Sequence, residues 1–364
     1  MKKRIFILSL SCLLPWFAHP DDIYLKDGSV IKGKVIEAAP GVSYKIRTAD
    51  GSIFVFLADE VERISFEEGV IPSEEKPLWS HLSTKIGLKT AYLSGKTIYH
   101  ISFDNPWDYG GHGESELEFP MNNYLVGIDV LIGKETQKEK GHLGFRLLTN
   151  IDKDAGIMKD SDWIENDAAF GKPAHSGRDC YTESDAELSA IILDFVYVHH
   201  PFSKTSLSPI LGLRYQRFRH EIYGAKGSYW DEPVSIGSNV NVLEYEVKYW
   251  IPYLGISSDL FLRKNFNLNL VIAYSGWVSI KDEDHHLLRN LAMKAETEGE
   301  AYLIALNSDW QILPQFELAV GGEYMNVDTS GMAKQYVNEV YNGSVKDKIT
   351  SNSYLLSANV SYRF

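Results

Sequence analysis

Only two cysteines occur in 364 residues, Cys12 and Cys180. Cys12 falls in an apolar leader, so its removal leaves a single thiol and excludes an intramolecular disulfide framework. Long apolar runs are also missing. Beyond the first 20 residues nothing reaches the roughly 18 consecutive apolar residues of a spanning helix, so only a β-barrel could carry this chain across a membrane. Positive charge is scarce: 36 Lys and Arg stand against 49 Asp and Glu, a net charge of −13. Such a chain is a poor general binder of nucleic acid, whose phosphates attract basic surfaces. Aromatic residues, by contrast, are plentiful, with 21 Tyr, 16 Phe and 8 Trp. They suit the interfacial girdles of an outer-membrane barrel, whose hydropathy stays low because lipid-facing and lumen-facing residues alternate.

The amino-terminal pattern predicts export. Lys2, Lys3 and Arg4 precede an apolar stretch from Ile5 to Ala18, too short for a spanning helix and interrupted by Pro15, so residues 1–20 read as a signal peptide. Cys12 offers a degenerate lipidation site as an alternative ending. Residues 21–66 then read as a small β module. Lys26-Asp27-Gly28 and Ala49-Asp50-Gly51 each separate apolar alternating runs, and Asp-Gly between such runs is a hairpin signal. The segment resembles small Sm-like or SH3-like barrels and is expected to be periplasmic. Residues 67–79 read as a linker.

From residue 80 to 364 the strands lengthen. Tyr124, Val126, Ile128, Val130 and Ile132 alternate with Leu125, Gly127, Asp129, Leu131 and Gly133; Phe266, Leu268, Leu270, Ile272 and Tyr274 enclose Asn267, Asn269, Val271 and Ala273; and later Leu356, Ala358, Val360, Tyr362 and Phe364 alternate with Ser357, Asn359, Ser361 and Arg363. Period two with one apolar face fits a sandwich or a barrel. Connections near 133–141, 201–207, 262–265 and 308–314 are read as short, and those near 95–113, 153–186, 223–242, 281–292 and 328–349 as mostly long. That asymmetry matches periplasmic turns and extracellular loops. The fold expected is all-β: a ten-stranded antiparallel transmembrane β-barrel preceded by the small module.

Two acidic clusters fall on the side with long connections. Asp160-Ser161-Asp162-Trp163 supplies a carboxylate pair at i and i+2, which on an extended chain point the same way. Asp284 and His286 form a carboxylate–imidazole pair at the same spacing. Asp beside His orients the ring so that it can take a proton from water, while two close carboxylates tend to share one proton. Facing each other, the pairs could activate water against an amide. Adjacent histidines at 199–200 and 285–286 point to opposite faces, which disfavours a metal site. Cys180, beside Asp179 in a segment read as loop, is expected to be an unpaired surface thiol and not a catalytic one. Gly95-Lys96-Thr97 lacks the first glycine and the following helix of a phosphate loop.

Together with Leu93-Ser94-Gly95-Lys96-Thr97, Ser275-Gly276-Trp277-Val278, Pro252-Tyr253-Leu254-Gly255 and the Tyr362-Arg363-Phe364 ending, these motifs resemble the omptins, outer-membrane proteases with a ten-stranded barrel. The resemblance covers about 80–364. It implies that Asp160 and Asp162 form the aspartate pair and Asp284 and His286 the dyad. It implies that Asp282 receives a basic substrate side chain, while the family's second acidic specificity position is occupied here by Tyr99. Relaxed selection at that subsite is therefore expected. It further implies lipopolysaccharide as an activating lipid, held by Arg219 and Lys248, with peptides or proteins as substrates and the barrel assembly machinery as partner during biogenesis. Neither metal nor organic cofactor is expected. The alternative function is an inactive structural or adhesin-like barrel, and a pore ranks behind it.

Overall fold

The computed structural model describes residues 21–39, 41–48, 50–65, 82–104, 112–135, 140–164, 178–200, 207–263 and 265–364. The signal peptide, the Cys12 site and the linker predicted above lie outside those residues. The chain divides into two compact units, Met1–Leu78 and Trp79–Phe364.

The first unit holds β1 (Asp21–Leu25), β2 (Val30–Ala39), β3 (Ser43–Thr48), β4 (Ile53–Leu57) and β5 (Val61–Ser65), in the order β4-β3-β2-β1-β5. Both Asp-Gly pairs make turns. Gly28 and Gly51 each take φ near +88°, a conformation in which a Cβ is strained. The Ser29 N–H donates to Asp27 Oδ1 at 2.8 Å. Ile23, Leu25 and Ile46 form the core.

The second unit comprises β6 (Leu82–Asp104), β7 (His112–Pro120), β8 (Asn123–Glu135), β9 (Lys140–Asn150), β10 (Asp154–Ile164), β11 (Cys180–His200), β12 (Leu207–Tyr229), β13 (Glu232–Arg263), β14 (Phe266–His286), β15 (Leu291–Gln311), β16 (Phe316–Val337) and β17 (Val340–Arg363). Each pairs antiparallel with its neighbours. β6 pairs with β8 from Leu82 to Leu93 and with β7 from Lys96 to Asp104. β7 and β8 are thus two halves of one barrel strand, interrupted at Met121 and Asn122. β9 and β10 form a second such strand, the two halves pairing successively with β11. β17 returns to β6, from Lys346 opposite Ser102 to Arg363 opposite Lys85, and closes the barrel. With the halves joined, the barrel has ten strands. A break in β6 matches the interruption: Gly95 has φ +143°, and a Cβ there would lie 2.0 Å from the Asn352 carbonyl oxygen. Its own carbonyl accepts the Met121 N–H at 2.9 Å.

The outward rows of the strands carry the membrane signature. On β14, Leu268, Leu270, Ile272 and Tyr274 give way to Ser279, Lys281, Glu283 and His285; on β15, Leu306, Ile304 and Tyr302 give way to Glu300, Glu298 and Glu296. Cross-strand aromatic pairs mark the boundary: Tyr92–Tyr124, Tyr215–Trp250, Tyr274–Tyr302 and Tyr324–Tyr354, with ring centroids 4.8–5.1 Å apart. Phe266–Trp310 and Phe316–Tyr362 occupy the opposite end. Only about 10 tilted residues are needed to cross a bilayer, and strands of 21 to 32 residues therefore project well beyond one boundary.

The predicted long connections need correction. The segments 223–242, 281–292 and 328–349 are largely strand. They turn at Trp230 and Asp231, at Leu287–Asn290, and at Asn338 and Glu339, where Trp230, Asp231, Asn290, Asn338 and Glu339 take positive φ. The asymmetry arises from tall strands. Polar alternation above the membrane boundary lacks the apolar row by which a strand is recognised, which is why these segments read as loops.

Within the membrane-spanning lumen lies a neutral ion-pair network. Arg214 donates to Asp194 at 2.7 Å and to Glu323 at 2.5 and 3.0 Å. Arg146 stands 3.5 Å from Glu323 and 3.6 Å from Asp129, and Lys89 3.3 Å from Asp129. Tyr253 donates to Asp194 at 2.9 Å. Three cations meet three anions across the barrel.

Candidate active site

All four proposed catalytic residues lie on the strand extensions beyond the aromatic boundary. Asp160 and Asp162 share one face of β10, placed between β7 and β11: Asp160 pairs with Leu117 and Thr182, Asp162 with Ser115 and Cys180. Asp284 and His286 end β14, next to Tyr245 and Leu243 of β13 and Met293 and Leu291 of β15. The four-residue turn that follows holds the β14–β15 hairpin closed.

Asp284 is wholly buried. Its Oδ1 accepts the Met293 N–H at 3.1 Å. Its Oδ2 has no hydrogen-bond partner and faces His286 Nε2 at 3.6 Å, beyond hydrogen-bond range. Arg289, in the turn, places Nη2 3.0 Å from His286 Nδ1 and 3.3 Å from Nε2. A guanidinium only donates, so a ring nitrogen is the acceptor in this contact. The two pairs act on one another electrostatically: Asp284 raises Asp160, and Arg289 and His286 lower Asp162. Burial, aided by the Asp162 charge, pushes the Asp160 carboxyl up to about 7. Asp162 is raised by burial as well, against a hydrogen bond from Ser115.

That shift has a consequence for stability. The unfolded chain releases the Asp160 proton near the ordinary value of 3.8, and the folded chain holds it to about 7. The stabilising contribution is full below the unfolded value and is lost as pH rises through the folded one. The melting midpoint should therefore rise between pH 8 and pH 6, and Asp160→Asn should flatten that slope. Parallel slopes for the two proteins in calorimetry would contradict this.

The proposed specificity residues also lie deep. Asp282 points inward from β14 and is 5% exposed; Tyr99, on β6, is 1% exposed. The Tyr99 ring lies 5.8 Å from that of Tyr245, which stacks on Phe119 at 4.1 Å, and its hydroxyl is 3.7 Å from Met293 Sδ. Burial first, and then the Asp284, Asp347 and Asp282 charges, raise the Tyr99 phenol.

Sequence reasoning missed two residues of this site. Asp347 lay in a segment read as a loop, although Val345, Asp347, Ile349 and Ser351 keep strict alternation. Arg289 could have been noticed only as a cation three residues beyond His286. A cavity of about 720 Å³ occupies the lower lumen, bounded by Lys85, Asn267, Asp309, Glu317 and Arg363. None of Asp160, Asp162, Asp284 and His286 lines it.

Arg219 and Lys248 occupy outward rows just above Tyr215 and Trp250. There they meet carboxylates: Arg219 pairs with Glu244 at 3.1 Å and Glu221 at 3.7 Å, Arg217 with Glu246 at 2.8 Å, and Lys248 with Glu246.

Residues 86–364 match the Omptin family. The chain is 24% identical over 300 residues to the outer membrane protease OmpP of Escherichia coli K12, and 23% identical over 293 residues to the plasminogen activator of Yersinia pestis. Each alignment covers 78% of this chain and 90% of the relative. The crystal structure of the outer membrane protease OmpT from Escherichia coli superposes with a TM-score of 0.63 at 18% identity, covering 78% of this chain and 97% of that one.

Proposed function

The chain belongs to the omptin family, and from that membership we propose that it is an outer-membrane endopeptidase, its groove facing the cell exterior, that cuts peptides or proteins beside basic residues. The observation that supports the reading is the electrostatic influence of two pairs on one another, Asp284 with His286 on β14 and Asp160 with Asp162 on β10. His286 takes a proton from water lying between the pairs, and the oxygen attacks the scissile carbonyl carbon. Asp284 orients the ring and balances the imidazolium that forms. The Asp160–Asp162 pair, holding a proton near neutral pH, donates a hydrogen bond to the developing oxyanion. The imidazolium then protonates the leaving amine as the C–N bond breaks. Arg289 has to leave the His286 ring before that ring can accept a proton from water.

The test is incubation of the refolded full chain, supplemented with lipopolysaccharide, with a peptide library read by mass spectrometry. Cleavage next to Lys or Arg, unchanged by a chelator, is expected. Intact peptides throughout would favour an adhesive or structural barrel.

Lipopolysaccharide is proposed as the activating lipid, with Arg219 and Lys248 meeting its phosphates. Their carboxylate neighbours compete for the same charges, and exposed pairs are each worth about 0.2–1 kcal/mol. Removing both cations should therefore shift half-activation by no more than about thirtyfold, equivalent to about 2 kcal/mol. Arg219→Ala with Lys248→Ala should need more lipid for half-maximal rate and recover at excess. Identical activation curves would leave these residues as rim cations.

A further inference from the structure

We infer that Asp282 and Asp347 together form the floor of a cation-binding subsite in the groove, in which Asp347 supplies the second carboxylate that the Tyr99 position lacks. The ligand is the Lys or Arg side chain beside the bond to be cut, so the inference rests on the endopeptidase reading above.

The two residues reach the same place from different strands. Asp282 lies inward on β14, opposite Ala295 of β15, which in turn lies opposite Ala333 of β16. Asp347 lies inward on β17, between Gly331 of β16 and Ile101 of β6. The wall between the two carboxylates is therefore built from small side chains. Met293 packs beside Ala295 and Ala333, and its flexible thioether can give way to an entering chain. Asp347 exerts the largest charge effect on Asp282, which places the two carboxylates in mutual range.

Neither carboxylate has what a buried anion needs. Asp282 is 5% and Asp347 3% exposed, and none of their four oxygens meets a hydrogen-bond partner. The N–H of Asp282 itself acts favourably on Asp282, and that of Lys348 on Asp347, but weakly against burial. Among the described residues neither has an ion-pair partner. The same barrel shows how its structural carboxylates are treated: Asp129, Asp194 and Glu323 each meet a cation in the lumen. Burying unpaired carboxylates is costly, and a cation arriving with the substrate would remove that cost. Burial and the Asp284 charge push Asp347 up to about 7, and burial with the Asp347 charge raises Asp282 well above the ordinary carboxylate range. The groups facing the floor are Asp284, Tyr99 and Tyr245, and the two rings offer π faces to a guanidinium. A planar guanidinium can span two carboxylates, which a compact ammonium does less well. Arg should be preferred to Lys.

The experiment uses refolded full-length protein with lipopolysaccharide and three matched peptides carrying Arg, Lys or Phe before the scissile bond. Asp347→Asn should lower the Arg-to-Phe ratio of kcat/KM by roughly ten- to hundredfold, the effect of one charged hydrogen bond, and Asp347→Glu should restore much of it. Methylguanidine should inhibit wild type competitively toward the Arg peptide, which keeps the inference open to test where Asp347→Asn does not refold. An unchanged ratio in Asp347→Asn, an equal loss on all three peptides, or no competition by methylguanidine would overturn the inference. Failure of wild type to cut any of the peptides would instead count against the endopeptidase reading.

Discussion

Asp284→Asn should lower kcat/KM by roughly three to four orders of magnitude, as loss of the carboxylate does in other Asp–His systems, while leaving the barrel at least as stable as wild type. The two halves of that expectation have separate causes. An amide keeps the shape of the side chain and its carbonyl can still accept the Met293 N–H, so the hairpin is held. It cannot balance an imidazolium on His286, so proton uptake from water becomes unfavourable. The carboxylate it replaces is fully buried, has one oxygen without a partner, and acts unfavourably on Asp160, Asp282 and Asp347. Removing its charge relieves all three. Lost activity with retained or raised stability is the pattern of a residue kept for function at the expense of the fold. Kinetics on a cleavable peptide, with melting followed by circular dichroism, would decide the matter. Near-wild-type turnover in the folded variant would dismiss Asp284, and lower stability would show that it has a structural role.

The parts of this molecule that were legible in the sequence are those carried by local periodicity. Leu268, Leu270, Ile272 and Tyr274 announce a lipid-facing row, and Asp27-Gly28 and Asp50-Gly51 announce hairpins, because each depends only on neighbours a few positions away. That Asp160 and Asp162 share one strand face, and Asp284 and His286 another, was legible for the same reason, since i and i+2 on a strand point the same way. What was missed is non-local. Asp347 matters because β17 closes beside β6 and stands three strands from β14, with β15 and β16 between them, a relation fixed by barrel closure. Arg289 matters because a turn at Leu287–Asn290 folds it back onto His286. Tyr99 alone predicted relaxed specificity; with Asp347 across the groove, the missing carboxylate is replaced from another strand, and strong preference for a cation is the expectation.

The second large effect belongs to the lumen. Arg214 donates to both Asp194 and Glu323, residues 20 and 109 positions away, in a network that nothing local in the sequence signals. Arg214→Met fills similar space without charge and leaves two carboxylates facing each other with only Arg146 and Lys89 nearby. Breaking one partner out of such a buried network typically costs about 3–5 kcal/mol, so the denaturation midpoint in lipid micelles should fall well outside experimental scatter. Adding Glu323→Gln to Arg214→Met should recover part of that loss, because the second substitution removes an uncompensated charge and leaves Asp194 its Tyr253 hydroxyl and Arg146. Recovery is the discriminating result. If the double variant is less stable than Arg214→Met by the full cost of Glu323→Gln alone, the two residues act independently, and the network holds the barrel through packing and not through paired charge.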